Sequence, residues 1–267
     1  MVPKIDSHCH IYPEKIASRA VAGIGDFYDI PMALDGRAAT LLSQMEAVDI
    51  DHAVVSSCAT SPAQVATINN FIADAVDKAE GKFTGLGTMH PESADLEGDF
   101  AHLLSLGLKG VKMHHDFQHF AVDDAKCLPI YDLCQQAGIA LLLHTGDKRY
   151  DYSNPDHVEP ILKLFPKLTV VGAHLGGWSM WDQAVAYLSK YDNFVVDCSS
   201  ALYAITPEVA VEVMNAYGED RIMFGTDFPM WDAKGELRRV EKLGLSKTAQ
   251  EKLFYHNAKR IYDISEI

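Results

Sequence analysis

Short runs of β-branched and aliphatic residues alternate along the chain with stretches whose apolar residues have helical spacing. Such runs are typical of strands that are buried on both faces of a sheet. From the second run onward, a new one begins about every 25 to 30 residues, which is the length of one strand and helix unit. The predicted strands are eight in number and cover residues 5–8, 53–56, 83–87, 110–113, 139–143, 168–171, 194–196 and 221–224.

Eight alternating strands and helices predict an α/β protein, namely a (β/α)8 TIM barrel formed as a single domain by residues 1–267. A doubly wound open sheet also alternates strand and helix, and it stays open as the alternative architecture. The interval between His10 and His52 is longer than one helix requires. Its surplus, residues 12–34, contains Gly23, Gly25 and several large apolar side chains, which favour a lid loop over the barrel mouth.

Charge and size narrow the classes of partner. The chain has 267 residues and a formal net charge of -14, so its field repels nucleic acid and anionic membrane surfaces. The sequence shows neither a signal-peptide pattern nor an apolar run of about 18 residues, which predicts a cytoplasmic protein. A chain of this length folds without a structural metal, and we therefore expect any bound metal to serve function.

The first predicted strand carries the strongest local signal for chemistry. His8 and His10 are two residues apart, so on a strand they project to the same side while Cys9 points away. Two imidazoles on one face can share a metal ion. Taken alone, the pair is as readily explained by two polar residues at the end of a strand.

Three further residues follow predicted strands in the same way. His144 ends the fifth strand, His174 ends the sixth, and Asp227 follows the eighth. A TIM barrel brings the carboxyl ends of its strands around one opening, where its active sites lie. Three histidines and a carboxylate suit one zinc ion with an open position for water, although manganese, iron or cobalt fits such a site as well.

Four other side chains are candidates for binding a small-molecule substrate. Lys112 ends the fourth strand, where it could bind a substrate carboxylate or pair with a nearby acid, and we favour binding of a substrate carboxylate. His114 follows it on the next loop. Arg149 and Trp178 follow the fifth and sixth strands, where pocket lining and ordinary packing are equally good explanations.

These motifs, in this order, resemble the amidohydrolase superfamily, specifically the amidohydrolase-2 branch that includes aminocarboxymuconate-semialdehyde decarboxylase. The resemblance covers essentially the whole chain and rests on the segments 6–10, 110–114, 144–146, 174–177 and 225–229. It implies that His8, His10, His144 and Asp227 bind the metal and that His174 is a general acid/base or electrostatic catalyst. A second metal would recruit His174 instead, and the resemblance then implies Lys112 as a bridge between the two metals, a role that stays open beside carboxylate binding. The resemblance also implies a homodimer.

Both hydrolysis and decarboxylation occur in this branch, so the pocket must decide between them. The chain is short for a decarboxylase of the branch, and Arg149 is the one arginine expected near the mouth, which favours hydrolysis. In that reaction a metal-activated water attacks a lactone, ester or amide of a small carboxylated metabolite, with Asp227 as the base. The alternative is non-oxidative decarboxylation of an unsaturated or aromatic acid. A non-catalytic barrel that binds a metal or metabolite ranks last.

Overall fold

The computed structural model describes residues 2–267, and its strands all pair in parallel with their neighbours. One predicted strand, the third, is split in two at Leu86. The later strands β5 to β9 therefore correspond to the predicted fourth to eighth. The strands are β1 (Ile5–His10), β2 (His52–Ser56), β3 (Phe83–Gly85), β4 (Gly87–Thr88), β5 (Gly110–Met113), β6 (Ala140–Leu143), β7 (Val170–Gly172), β8 (Phe194–Asp197) and β9 (Ile222–Met223).

The strands form a closed ring. Ladder pairing gives one group of three strands, β1 to β3, and one of six, β4 to β9. Backbone hydrogen bonds bridge the split, because the amide of Leu86 donates to Val55 at 2.9 Å. At the other side β1 joins the chain after β9, where Asp227 N donates to His8 O at 2.9 Å. The TIM barrel prediction is confirmed, and the open sheet is wrong.

Helices follow the strands around the barrel. The final helical segment is continuous from 247 to 261 through a π-helical turn, Lys252–His256. The helices are α1 (Ala17–Tyr28), α2 (Ala38–Ala47), α3 (Val65–Lys78), α4 (Leu96–Ser105), α5 (His115–Gln118), α6 (Leu128–Ala137), α7 (Pro155–Leu164), α8 (Trp181–Leu188), α9 (Pro207–Tyr217), α10 (Ala233–Glu241), α11 (Lys247–Glu251) and α12 (Asn257–Ile261). Among residues 2–267, no helix combines the length and apolarity needed to span a bilayer.

Alternation along the strands divides the core into two layers. In β6, Leu141 and Leu143 pack with the helices, whereas Leu142 belongs to a second apolar cluster inside the ring. That inner cluster also contains Tyr262 and Ile264 from the end of the chain. Since the apolar side chains fill the interior near the amino ends of the strands, the polar interior positions lie toward the carboxyl ends.

Segment 12–34 corrects one detail of the sequence analysis. Its composition predicts a loop, but it contains helix α1. Gly23 and Gly25 favour a loop, yet both lie inside the helix, where Ala17 and Val21 are buried four residues apart. Tertiary packing of this apolar face outweighs the cost of about 1 kcal/mol that each glycine adds to a helix.

The barrel seam provides the first test. The buried Asp6 carboxylate accepts hydrogen bonds from Thr226 N at 2.9 Å and Thr226 Oγ1 at 2.6 Å. Thr226→Val removes the hydroxyl while keeping the shape, so we expect the free energy of unfolding to fall by about 1–3 kcal/mol. Urea denaturation measures the change, and the same substitution at the exposed Thr248 is the control. Equal stability of the two variants would contradict this role of the seam.

Candidate metal centre and active site

His8, His10 and Asp227 form one compact group of metal-ligand atoms at the carboxyl end of the barrel. The Nε2 atoms of His8 and His10 are 3.1 Å apart. Asp227 Oδ1 lies 3.6 Å from the first and 3.4 Å from the second. We call these three residues the donor group. Three of the four predicted metal ligands are thus brought together.

A register shift in β1 places the two histidines inside the barrel. Ile5 packs in the inner apolar cluster, so strict alternation would direct even-numbered residues outward. The pairing of β1 with β2 shifts between Asp6 and Cys9, and such a bulge reverses the alternation beyond it. Glycine at position 225 allows the segment after β9 to lie close to β1, because a Cβ at that position would lie 2.9 Å from the Cβ of His8.

Asp227 is held from several sides. Its backbone has φ of 57°, a left-handed conformation that is uncommon outside glycine. Ser200 Oγ donates to Asp227 Oδ2 at 2.6 Å, and the Trp231 ring nitrogen donates to Ser200 Oγ at 2.8 Å. Burial works to raise the pKa of the Asp227 carboxyl, but His10 and His8 outweigh it and hold that pKa well below its usual range. The carboxylate is therefore ionised and presents Oδ1 to the two histidines.

Asp197 sets the tautomer of His8. Nδ1 of His8 lies 2.9 Å from Asp197 Oδ2, so Nδ1 carries the proton and Nε2 is left as the free ligand atom. Burial lowers the pKa of His8 to about 4, although Asp197 opposes the shift. For Asp197 itself, burial raises the pKa, but the contact with His8 and the hydrogen bonds prevail and lower it to about 2. The pair is a neutral imidazole on an ionised carboxylate.

His144 and His174 line the same cavity but stand beside the donor group. Nδ1 of His174 donates to Ser199 O at 2.9 Å, so its Nε2 is an acceptor for His144 Nδ1 at 3.0 Å. The Nε2 atom of His144 faces the Tyr28 hydroxyl at 3.5 Å, not the donor group. The role of His144 as a metal ligand stays a prediction. Burial lowers the pKa of both rings, which keeps them neutral.

Lys112 and His114 both line the cavity. Val111 and Met113 face the helices, so alternation in β5 turns Lys112 into the barrel, where its Nζ lies 3.4 Å from His8 Nε2. Lys112 is 1% exposed and has no ion pair among residues 2–267. Burial lowers its pKa from the ordinary value. The His114 ring stacks on His144, and its Nε2 is 2.8 Å from the Tyr28 hydroxyl.

Arg149 and Trp178 are not among the residues that line this cavity, and substrate binding by these two candidates stays a prediction. Two guanidinium nitrogens of Arg149 bind the buried Asp147 carboxylate, with Nη2 at 2.7 Å, and a third donates to Phe27 O at 2.8 Å. Trp178 packs edge-on against Tyr28. Asp147 neutralises Arg149, and the guanidinium anchors the end of α1 through Phe27 O.

The residues that sequence reasoning missed are mainly Asp197 and Tyr28. Asp197 is the last residue of β8, and a lone acid at the carboxyl end of an apolar strand was a usable signal. Tyr28 ends helix α1, and nothing in its sequence neighbourhood indicates that it reaches His114. Only the packing of α1 across the mouth brings it there.

The donor set suits a divalent cation. Two imidazole nitrogens and one ionised carboxylate converge, with their ligand atoms within 4.8 Å of one another. The ligand atoms of a second group, His8, His174 and Asp197, also lie within 4.8 Å of one another. In that group Asp197 already accepts the hydrogen bond from Nδ1 of His8. The first group is therefore the better centre, and nitrogen with oxygen ligands fits zinc, manganese, iron and cobalt alike.

The geometry thus defines a TIM barrel with a histidine and carboxylate centre at its catalytic end. The sequence pattern of the amidohydrolase family matches residues 5–264, so the chain belongs to that family and is an enzyme of it. A 2-amino-3-carboxymuconate-6-semialdehyde decarboxylase of Dictyostelium discoideum is 23% identical over 233 residues. That match covers 72% of this chain and spans 64% of the length of the relative.

Solved structures share the fold at low sequence identity. An uncharacterized TIM-barrel protein of Bordetella bronchiseptica has a TM-score of 0.81 at 21% identity, with 97% of this chain and 98% of the other covered. A dihydroxybenzoic acid decarboxylase of Polaromonas, solved with manganese and the inhibitor 2-nitroresorcinol, has a TM-score of 0.76 at 18% identity, with 98% of this chain and 97% of the other covered. A protein of Pseudomonas putida, provisionally named as a hydrolase of 2-pyrone-4,6-dicarboxylic acid, has a TM-score of 0.68 at 18% identity, with 99% of each chain covered.

Asp197 offers a test of the centre that leaves the donor group intact. Asp197→Asn keeps the size of the side chain but removes the charge that orients His8, so we expect divalent metal affinity to fall about 10–100-fold. Titration calorimetry with manganese and zinc measures the affinity. The exposed Asp192→Asn is the matched control. Unchanged affinity would place the metal on other residues.

Proposed function

We propose that this enzyme is a metal-dependent, non-oxidative decarboxylase of a small carboxylated acid, with an aromatic or unsaturated carbon next to the carboxyl group. The hydrolysis favoured by the sequence analysis is not confirmed. Two relatives are named as decarboxylases, one for a carboxymuconate semialdehyde and one for a dihydroxybenzoic acid. Their names support the reaction class, while the substrate of this chain is argued from its own cavity.

The observation that carries the proposal is the Lys112 ammonium. It lies buried beside the donor group without a carboxylate ion pair among residues 2–267. An unpaired buried cation is costly, and a substrate carboxylate would offset that cost. With Arg149 bound to Asp147, Lys112 is the buried cation that lines this cavity. A carboxylated substrate placed here has its carboxyl group next to His8 and His10.

The reaction requires the bond to the carboxyl carbon to break, carbon dioxide to leave, and the remaining carbon to gain a proton. No oxidant or reductant is consumed. His174 lines the cavity with its unprotonated Nε2, which accepts from His144 Nδ1 at 3.0 Å, so it takes up a proton when that hydrogen bond is released. Asp227, an ionised carboxylate that also lines the cavity, is the second proton carrier. The two form the acid and base pair of the site.

His8, His10 and Asp227 would hold the metal, with His144 as the predicted further ligand. A bound divalent ion supplies positive charge that stabilises the electrons left on the substrate when carbon dioxide departs. The protein groups around it exclude water, because His8, His144 and His174 are each 4% exposed or less. Lys112 orients the carboxyl group toward that charge.

Loss of the Asp227 charge tests the reaction. With a panel of dihydroxybenzoates and carboxymuconate analogues, Asp227→Asn should lower the rate of carbon dioxide release about 10²–10⁴-fold, because a ligand and proton carrier is lost. Manometric or coupled carbon dioxide assays of the manganese-loaded enzyme measure it, with the exposed Asp182→Asn as control. Release of acid from lactones without release of carbon dioxide would contradict decarboxylation and support hydrolysis.

Lys112 should act mainly on substrate binding. Lys112→Met keeps the length of the side chain and removes a charge-assisted hydrogen bond worth about 1.5–3 kcal/mol, so we expect KM to rise about 10–100-fold. Steady-state kinetics of carbon dioxide release measures KM and kcat separately. Lys148→Met on the surface is the control. A fall in kcat with an unchanged KM would show that Lys112 does not bind the carboxylate.

A further inference from the structure

The cavity at the donor group continues well beyond it between two helices. Its volume is about 470 Å³, in the range of pockets that enclose drug-sized ligands. A benzoate-sized acid at the metal centre uses only part of that space. The remainder, which we call the apolar arm, is lined by Ile16, Ala20, Ile24, Met32, Ile68 and Phe71.

Helix α1 forms one wall of the apolar arm. Ile16, Ala20, Ile24 and Tyr28 are each four residues apart, so they lie along one face of the helix. At 1.5 Å per residue, this face is about 18 Å long. Tyr28 at one end contacts His114 beside the donor group, so the wall extends away from the metal centre.

Helix α3 forms the opposite wall. Ile68 and Phe71 are three residues apart and face the cavity, and both pack with their other sides against the main core. Polar side chains also line the cavity, and four of them, Arg19, Thr60, Gln64 and Thr67, are exposed to solvent. The buried and half-buried side chains that α1 and α3 direct into the cavity are thus apolar. The space between the two helices is the apolar arm.

We propose that the substrate is amphiphilic, with a carboxylated head at Lys112 and the donor group and an apolar substituent of several carbons in the apolar arm. This proposal rests on the proposed function and specifies its substrate class. Continuity with the metal centre favours a substrate over any other occupant. A polar metabolite would leave the apolar faces of α1 and α3 against water, whereas an apolar substituent would cover them.

A series of 4-alkylbenzoates, from methyl to hexyl, tests the apolar arm by binding alone. With manganese-loaded enzyme, we expect Kd from titration calorimetry to fall about threefold to fourfold with each added methylene, until the arm is filled. Ala20→Phe fills the arm and should abolish this dependence. Ala22→Phe, two residues along the same helix and exposed outside this cavity, should retain it.

A second variant guards against misfolding of the first. Thr67→Asp at an exposed position of the arm brings a charge beside the tail and should weaken binding of the hexyl compound at least tenfold more than that of the methyl compound.

Equal Kd values across the series in the unmodified enzyme would overturn the proposal, and so would a length dependence that survives in Ala20→Phe. If Kd falls with length but no acid of the series or of the wider panel releases carbon dioxide, the apolar arm stands and the assigned reaction is wrong. If carbon dioxide is released but Kd and KM are independent of the tail, the reaction stands and the apolar arm serves closure of α1 on α3 or contact with a second copy of the chain.

Discussion

The site depends on the seam where β1 meets the chain after β9. Asp6 binds the amide and hydroxyl of Thr226, 220 residues away, and Asp227 then donates its own amide to His8 O. This pairing closes the barrel and in the same step places the Asp227 carboxylate beside two histidines. Burial raises the pKa of Asp6 to about 6, although the hydrogen bonds from Thr226 oppose this shift. These hydrogen bonds stabilise the seam because they replace those that water would otherwise give to the carboxylate. Fold and metal centre therefore share one set of contacts.

Charge balance explains why this end of the barrel is suited to a cation. Asp197 and Asp227 are ionised although both are buried, because the hydrogen bonds and histidine contacts around them outweigh desolvation. The histidines are held neutral by the same burial and so keep free lone pairs. Two negative charges then face one ammonium, that of Lys112. A divalent ion supplies the missing positive charge, and an anionic substrate becomes favourable once the ion is present.

Helix α1 connects this centre to the choice of substrate. Its end is fixed by Arg149, whose guanidinium binds Asp147 and lies about 5 Å from the rings of Phe27 and Tyr28. An arginine for which the sequence leaves substrate binding and packing equally open thus holds the helix that covers the mouth. Tyr28 is thereby kept against His114, and the opposite part of the helix forms one wall of the apolar arm. The same helix shields the reacting end from water and shapes the space for the rest of the substrate.

Local pattern determined most of the architecture. The period of the apolar runs predicts eight strands because burial on both faces requires continuous apolar sequence, and polar residues at strand ends predict the opening where His8, His10 and Asp227 meet. The helix at 17–28 is not predicted from the sequence, because its two glycines favour a loop and only tertiary packing outweighs that preference. Asp197 behind His8, the pairing of Arg149 with Asp147 and the turn of His144 toward His174 and Tyr28 were decided by tertiary structure alone. These contacts join residues that are distant in sequence or set by ring orientation, and neither property is written in the spacing of residue types along the chain.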